Sequence, residues 1–255
     1  MSEYRLEMQN VVKTFPGVKA LDDINFEVTT GEIRAVVGAN GAGKSTLMKV
    51  LAGANSTYTG DVLLNGKKVE VRTPVDAKKL GIQIVYQEVD MALYPTLSVA
   101  ENILQNDMVM GKSGYIVNWS KAYKQGRAAL DRLHIGRDQV DEHELVQNLS
   151  LAQKQMVEIA RTVYADAQII IMDEPTAALE ANDREQLFKV IRRLKEGGHS
   201  IIFISHHLDE LMEICDRVSV LRDGQKVSEG YVKDYTVDRI ISAMVGKELK
   251  NQYQK

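Results

Sequence analysis

The nine residues GANGAGKST at 38–46 combine three glycines, a lysine and two hydroxyls, a set suited to gripping phosphate. They match G-x-x-x-x-G-K-[ST], follow the expected strand EIRAVV and open the helix-forming run TLMKVLAG, the strand–loop–helix context that the motif requires. Gly38, Gly41 and Gly43 let the backbone turn so that successive N–H groups point at phosphate oxygens. The N-terminus of the following helix adds its dipole. Lys44 can neutralise the β and γ phosphates of a nucleoside triphosphate, the Ser45 hydroxyl can ligate Mg²⁺, and Thr46 can reach the α-phosphate.

A second chemical stretch is IIIMDEP at 169–175. Its four apolar residues predict a buried parallel strand, and Asp173 falls at the carboxyl end, where α/β sheets bind their ligands. A carboxylate there can hold Mg²⁺ through water. Glu174, one residue on, stands where it can orient and deprotonate an attacking water. Gln87 ends the run IQIVYQ and could meet metal and water, although a glutamine there is equally a surface residue. His206 follows IIFIS in the same way, with His207 beside it leaving the register open. The chemistry implied is hydrolysis of ATP or GTP, and the N-K-x-D motif that would specify guanine is missing.

The rest of the chain supplies what must position these groups. Its 255 residues can bury a large core. With 44% apolar and 26% charged residues and a net charge of −3, it is an ordinary globular chain without the basic footprint of a nucleic-acid binder. No apolar run approaches a membrane span, and the N-terminus lacks the apolar region of a secretory signal. The single cysteine, Cys215, excludes an internal disulfide and suits a reducing compartment. The histidines show no H-E-x-x-H spacing.

Short β-branched runs alternating with helical patterns predict an α/β core. Strands are expected at 32–38, 82–87, 169–173 and 200–205, and DVLL and KKVEV flank Asn65-Gly66 as a hairpin. With YRLEMQNVVKTF and INFEV, that hairpin predicts an antiparallel β-subdomain. Ser98 and Glu101 predict a capping box, Asn182 predicts a helix cap, and Gly197-Gly198 a helix stop. From about 89 to 162 helical patterns replace strands, predicting an inserted helical subdomain.

The motif set GANGAGKST, IVYQE, LSLAQ, IIIMDEP and ISHH resembles the nucleotide-binding subunits of ATP-binding cassette (ABC) transporters. FPGVKALDDINFEV, QMVEIAR, ISHHLDELMEICDRV and VLRDGQ are similar to the carbohydrate-import branch, of ribose/galactose type. The resemblance covers nearly the whole chain. It implies a P-loop NTPase (RecA-like) core, an ATP-binding domain over residues 1–245 and a tail at 246–255.

By that resemblance Gly38, Asn40, Gly41, Ala42, Gly43, Lys44, Ser45 and Thr46 would cradle the phosphates of ATP, and Phe15 would stack on adenine. Ser45, Gln87 and Asp173 would serve Mg²⁺. Glu174 would be the general base, Gln87 would sense the γ-phosphate, and His206 rather than His207 would contact it. LSLAQ stands at the family's signature position, so Ser150, Ala152 and Gln153 would close over ATP held by a second cassette. Ser150 and Gln153 are also a plain S-x-x-Q capping box, and the two roles are compatible. Ala152 departs from the glycine common there, and AALE at 177–180 departs from the common SALD.

The implied function is the ATPase of an importer for a sugar, or alternatively for a nucleoside or polyol. The implied location is peripheral, on the cytoplasmic face of the membrane. Its partners would be a second nucleotide-binding domain, transmembrane permease subunits and, indirectly, a substrate-binding protein, with no nucleic acid. The second domain would come from a homodimer or from the other half of a tandem chain. The rival class, a non-transport ABC ATPase of DNA or ribosomes, would carry a long coiled coil or a charged linker, neither of which is present here.

Overall fold

The computed structural model describes residues 4–86, 88–109 and 118–246. Two long alternating strands, β1 (Arg5–Phe15) and β2 (Val18–Thr29), pair antiparallel at the start. Leu6, Met8 and Val11 from the first and Ile24, Phe26 and Val28 from the second turn inward, as period-two patterning requires. β3 (Ile33–Val37) begins a second sheet and is buried throughout. The phosphate-loop sequence then leads into α1 (Lys44–Leu51), which buries Leu47, Met48, Val50 and Leu51. β4 (Thr59–Leu64) and β5 (Lys67–Val69) return to the first sheet, whose order is β2-β1-β4-β5. The hairpin between them turns at Asn65-Gly66, with φ of 52° and 75°, as a primed turn demands.

α2 (Pro74–Lys79) leads to β6 (Ile82–Val85). Beyond it come α3 (Val89–Ala92), α4 (Val99–Val109), α5 (Trp119–Arg132) and α6 (Leu151–Tyr164), the helical insertion expected from the lost strand signal. The Ser98–Glu101 box closes as expected: the Ser98 N–H donates to Glu101 Oε2 at 2.7 Å, and the Glu101 N–H to Ser98 Oγ at 3.3 Å. β7 (Ile169–Asp173), α7 (Ala181–Glu196), β8 (Ser200–Ile204), α8 (Leu208–Ile214), β9 (Arg217–Arg222), β10 (Gln225–Tyr231) and α9 (Val237–Val245) follow. Among the described residues no helix is long and apolar enough to cross a membrane. The tail expected at 246–255 lies, beyond Gly246, outside the described residues.

The second sheet runs β10-β9-β3-β8-β7-β6, parallel throughout except for β10, which is antiparallel to β9. Its central strands are covered on both faces. Along β7, Ile170 and Met172 enter the core shared with the helical insertion, while Ile169 and Ile171 enter the core under the antiparallel sheet. That double burial is why IIIM reads as a continuous apolar run.

Two sequence expectations change. The β9–β10 hairpin, turning at Asp223-Gly224, is absent from the expected strands although Asp-Gly between β-branched runs is its signal. The helix expected to be capped by Asn182 starts two residues earlier than that cap implies. Glu180 is the cap residue, without a side-chain cap bond, and its carbonyl accepts from the Arg184 N–H at 2.9 Å. Leu179 packs against the core, so the chain is already anchored when the helix begins.

A buried ionic cluster joins the two sheets. Arg34, at the second position of β3, is fully buried over the Phe26 ring. Its Nε meets Glu32 Oε1 at 2.7 Å and its Nη1 meets Glu229. Arg217 reaches Glu27 and Glu229 at 3.3 Å each, and Arg5 holds the other oxygen of Glu27 at 2.7 Å. Burial pushes the Glu229 carboxyl up, but hydrogen bonds from Lys226 and Arg34 override it, so the net shift is downward.

α6 carries a further buried charge. Glu158 is fully buried, with Oε1 3.3 Å from Arg161 Nη2 and Oε2 without a hydrogen-bond partner. Burial pushes its carboxyl from 4.5 up to about 7, against the pull of Arg161 and the Tyr86 N–H. A raised folded-state value means that the folded chain holds this proton more tightly than the unfolded one. The stabilising contribution is therefore full below about pH 4.5 and lost as pH rises through about 7. Glu158→Gln should raise Tm at about pH 8 and match the parent at low pH. The full difference should be on the order of 3 kcal/mol, and thermal unfolding followed across that pH range measures it.

Candidate active site

Because β3, β8, β7 and β6 are adjacent and parallel, their carboxyl ends share one edge of the sheet. That edge receives the 38–46 loop from β3, His206 from β8, and Asp173 and Glu174 from β7. Groups separated by more than a hundred residues are brought together by topology alone. Gln87, two residues past β6, lies outside the described residues.

In the loop, Gly43 caps α1 with φ 104°, a left-handed conformation that glycine adopts without strain. A Cβ there would also meet the Ala20 carbonyl at 2.7 Å. Gly38 is required for space instead: its Cβ would lie 2.4 Å from the Leu221 carbonyl oxygen. Ala42 buries its methyl group and donates its N–H to the Ala39 carbonyl at 3.1 Å, so it shapes the loop from inside. Asn40 and Ser45 are exposed and Thr46 is half-buried. The first intrahelical bond of α1 runs from the Leu47 N–H to the Gly43 carbonyl, which leaves the N–H groups of its first turn without helical acceptors. Lys44 Nζ donates to the Gly38 and Ala39 carbonyls at 2.6 and 3.2 Å.

The charges here are coupled. Burial pulls the Lys44 ammonium below its ordinary value, while Glu174 and Asp173 hold it up. Burial, then the Glu174 charge, pushes the Asp173 carboxyl up against Lys44 and Lys49. Glu174 sits at φ 47°, a strained setting for a residue with a side chain. Its N–H continues the sheet by donating to the Ile204 carbonyl at 2.9 Å. The carboxylate meets His206 Nδ1 at 3.2 Å. His207 instead caps α8, its N–H donating to Ser205 Oγ at 3.0 Å. Of the two histidines, His206 is the one beside the Glu174 carboxylate.

Phe15 ends β1, paired with Val18 of β2, on the sheet whose Ala20 carbonyl lies against Gly43. Its ring is 39% exposed, with Lys13 Nζ 4.8 Å from its centroid. Lys13 is buried and bound to the Thr57 carbonyl at 2.7 Å, so it props the ring from below. Sequence reasoning missed Lys13, whose only signal was period-two spacing from Phe15.

Ser150 caps α6. The Gln153 N–H donates to Ser150 Oγ at 3.3 Å and the Ser150 N–H to Gln153 Oε1 at 2.8 Å. Gln153 Nε2 donates to the Gln139 carbonyl at 2.6 Å. The cap consumes the third N–H and leaves those of Leu151 and Ala152 without helical acceptors. Ala152 lies inside the helix, outside the positive-φ residues, and its methyl group is buried. An alanine therefore fits this backbone without strain. Beside Asp173 an open cleft of ≈ 500 Å³ is lined by Tyr86, Glu88, Met91, Ala92 and Arg161, with Met91 84% exposed.

Residues 21–177 match a family described as ABC transporter. In an alignment of 257 positions that covers the whole chain, it is 44% identical to a xylose import ATP-binding protein of Thermoanaerobacter pseudethanolicus, of which it covers 50%. It is 43% identical over 258 residues to an L-arabinose transport ATP-binding protein of Geobacillus stearothermophilus, covering 99% of this chain and 49% of that one. The chain thus spans about half the length of the relatives it matches. Among solved structures, a nucleotide-free ATP-binding cassette from an ABC transporter matches with a TM-score of 0.78 at 25% identity over 96% of both chains.

Proposed function

The chain belongs to the ABC transporter family, and on that premise we propose that it is the ATP-hydrolysing subunit of a sugar importer. The observation that carries the hydrolytic part is the Glu174 carboxylate, held 3.2 Å from His206 beside the Lys44 loop. In this reading the first-turn N–H groups of α1 and Lys44 bind the β and γ phosphates. Glu174 accepts the proton of the attacking water, and His206 orients that water and the γ-phosphoryl. Phe15 offers a stacking face to adenine.

Ser45 and Asp173 provide a hydroxyl and a carboxylate, the hard oxygen donors that Mg²⁺ prefers. The metal, when bound, neutralises charge on the phosphoryl oxygens. Gln87 belongs to the same proposed set. Ser150 and the free N–H groups of Leu151 and Ala152 form an anion site at a helix N-terminus, suited to the γ-phosphate held by a second cassette. The cleft at Tyr86, Met91 and Ala92 would receive a permease segment, which would put the chain at the inner face of a membrane.

Sugar is the favoured solute because the relatives are named for xylose and arabinose. Uptake of labelled ribose, xylose, arabinose and galactose by cells lacking the chain tests this, with loss of one sugar expected. Unchanged sugar uptake together with lost nucleoside or polyol uptake would reassign the solute. Unchanged uptake of all of them would overturn the transport reading.

A further inference from the structure

We propose that Glu210 is a positioning residue for hydrolysis, one that locks the turn after Glu174 to the loop that carries His206; the proposal rests on the ATPase reading above. Glu210 lies on α8 and is only 5% exposed. Its Oε2 accepts from Thr176 Oγ1 at 2.6 Å and from Ser205 Oγ at 3.3 Å, and its Oε1 faces Arg184 Nη1 at 3.4 Å. Thr176 stands two residues after Glu174, and Ser205 one residue before His206. A single carboxylate oxygen therefore sets the distance between the two segments that present the general base and the histidine.

The strands cannot do this alone. Among the described residues the last backbone bond between the two segments is the Glu174 N–H to the Ile204 carbonyl. Thr176 and Ser205 are both buried, and the Ser205 hydroxyl accepts from the His207 N–H at 3.0 Å, so the tie reaches the cap of α8 as well. A first-turn acid on α8 could serve the helix dipole from the surface. Burying it, at a desolvation cost, is explained by the two hydroxyls that it holds. An error of about 1 Å at a reacting group can cost on the order of 100-fold in rate, so a tie of this kind acts on kcat.

The test uses the purified chain and six variants. Thr176→Val and Glu210→Ala should lower kcat by about 10- to 100-fold with KM for ATP within about twofold. Glu210→Gln, which keeps an oxygen acceptor, should recover most of the loss. In a Glu174→Gln background Thr176→Val should cost nothing further, because the group it positions is already gone. The ring-nitrogen NMR signal of His206, assigned by its loss in His206→Ala, should move in Thr176→Val as it does in Glu174→Gln. Should Glu210→Ala fail to fold, Thr176→Val alone bears the test, since it removes a single hydroxyl. An unmoved His206 signal with kcat intact in Thr176→Val would overturn the proposal, as would an equal loss in the Glu174→Gln background. A parent chain that does not hydrolyse ATP would sink the ATPase reading instead, and the His206 signal would still decide whether Glu210 positions it.

Discussion

Glu174→Gln is expected to slow ATP turnover by about 10²–10⁴-fold with ATP affinity nearly unchanged. Glutamine preserves the volume and can keep a hydrogen bond to His206, so what it removes is the base. The site is built to present that group: the residue is held at φ 47° by the Ile204 bond behind it and by His206, 3.2 Å away, in front. Phosphate release measures the rate, and a loss of less than about tenfold would mean that another group takes the proton. Slow turnover should also let a closed state accumulate, which the mass of the variant in solution with and without ATP·Mg²⁺ reads directly. A dimer formed only with nucleotide would make the alanine-containing cap at Ser150–Gln153 a working phosphate site. A monomer would assign the second cassette to a different chain.

The second large effect falls on binding. Lys44→Met should weaken ATP affinity by roughly 10- to 100-fold, the range expected for one hydrogen bond to a charged group, and lower turnover as well. The loss has two parts. One is the missing contact to the β and γ phosphates. The other is that Asp173 and Glu174, which both act on Lys44 across the site, would then face a polyanion without the ammonium between them. Calorimetric titration of ATP distinguishes the two variants: Glu174→Gln leaves affinity in place, whereas Lys44→Met does not. Parental affinity in Lys44→Met would remove the lysine from the phosphate site.

How legible this was from sequence differs by element, for physical reasons. The phosphate loop, the β7 acids and the Asn65-Gly66 hairpin are short-range signals, in which residue type and spacing dictate backbone geometry directly. The β9–β10 turn was equally local and went unread. The choice between His206 and His207 was not local, because it depends on the direction in which the chain leaves β8, and the contact with Glu174 decides that. Glu210 and Lys13 were invisible for another reason. Each is an ordinary polar residue at an ordinary spacing until folding buries it against Thr176 and Ser205, or against Thr57 and Phe15. Asn182 misled because cap preference is a weak force beside the anchoring of Leu179 in the core.

The buried cluster around Arg34 bears on how this chain can diverge. Glu27 and Glu229 each serve more than one guanidinium, so losing either acid takes counter-charge from two arginines at once and leaves the buried Arg34 to Glu32 and the remaining acid; breaking a buried pair costs up to about 3–5 kcal/mol. Most such chains would fall below the stability needed to persist. Viable change must then come in concert: an apolar residue at 34 only alongside neutral residues at 229 and 217, or a reversal of both signs together. Positions 27, 34, 217 and 229 should accordingly co-vary across relatives as one unit.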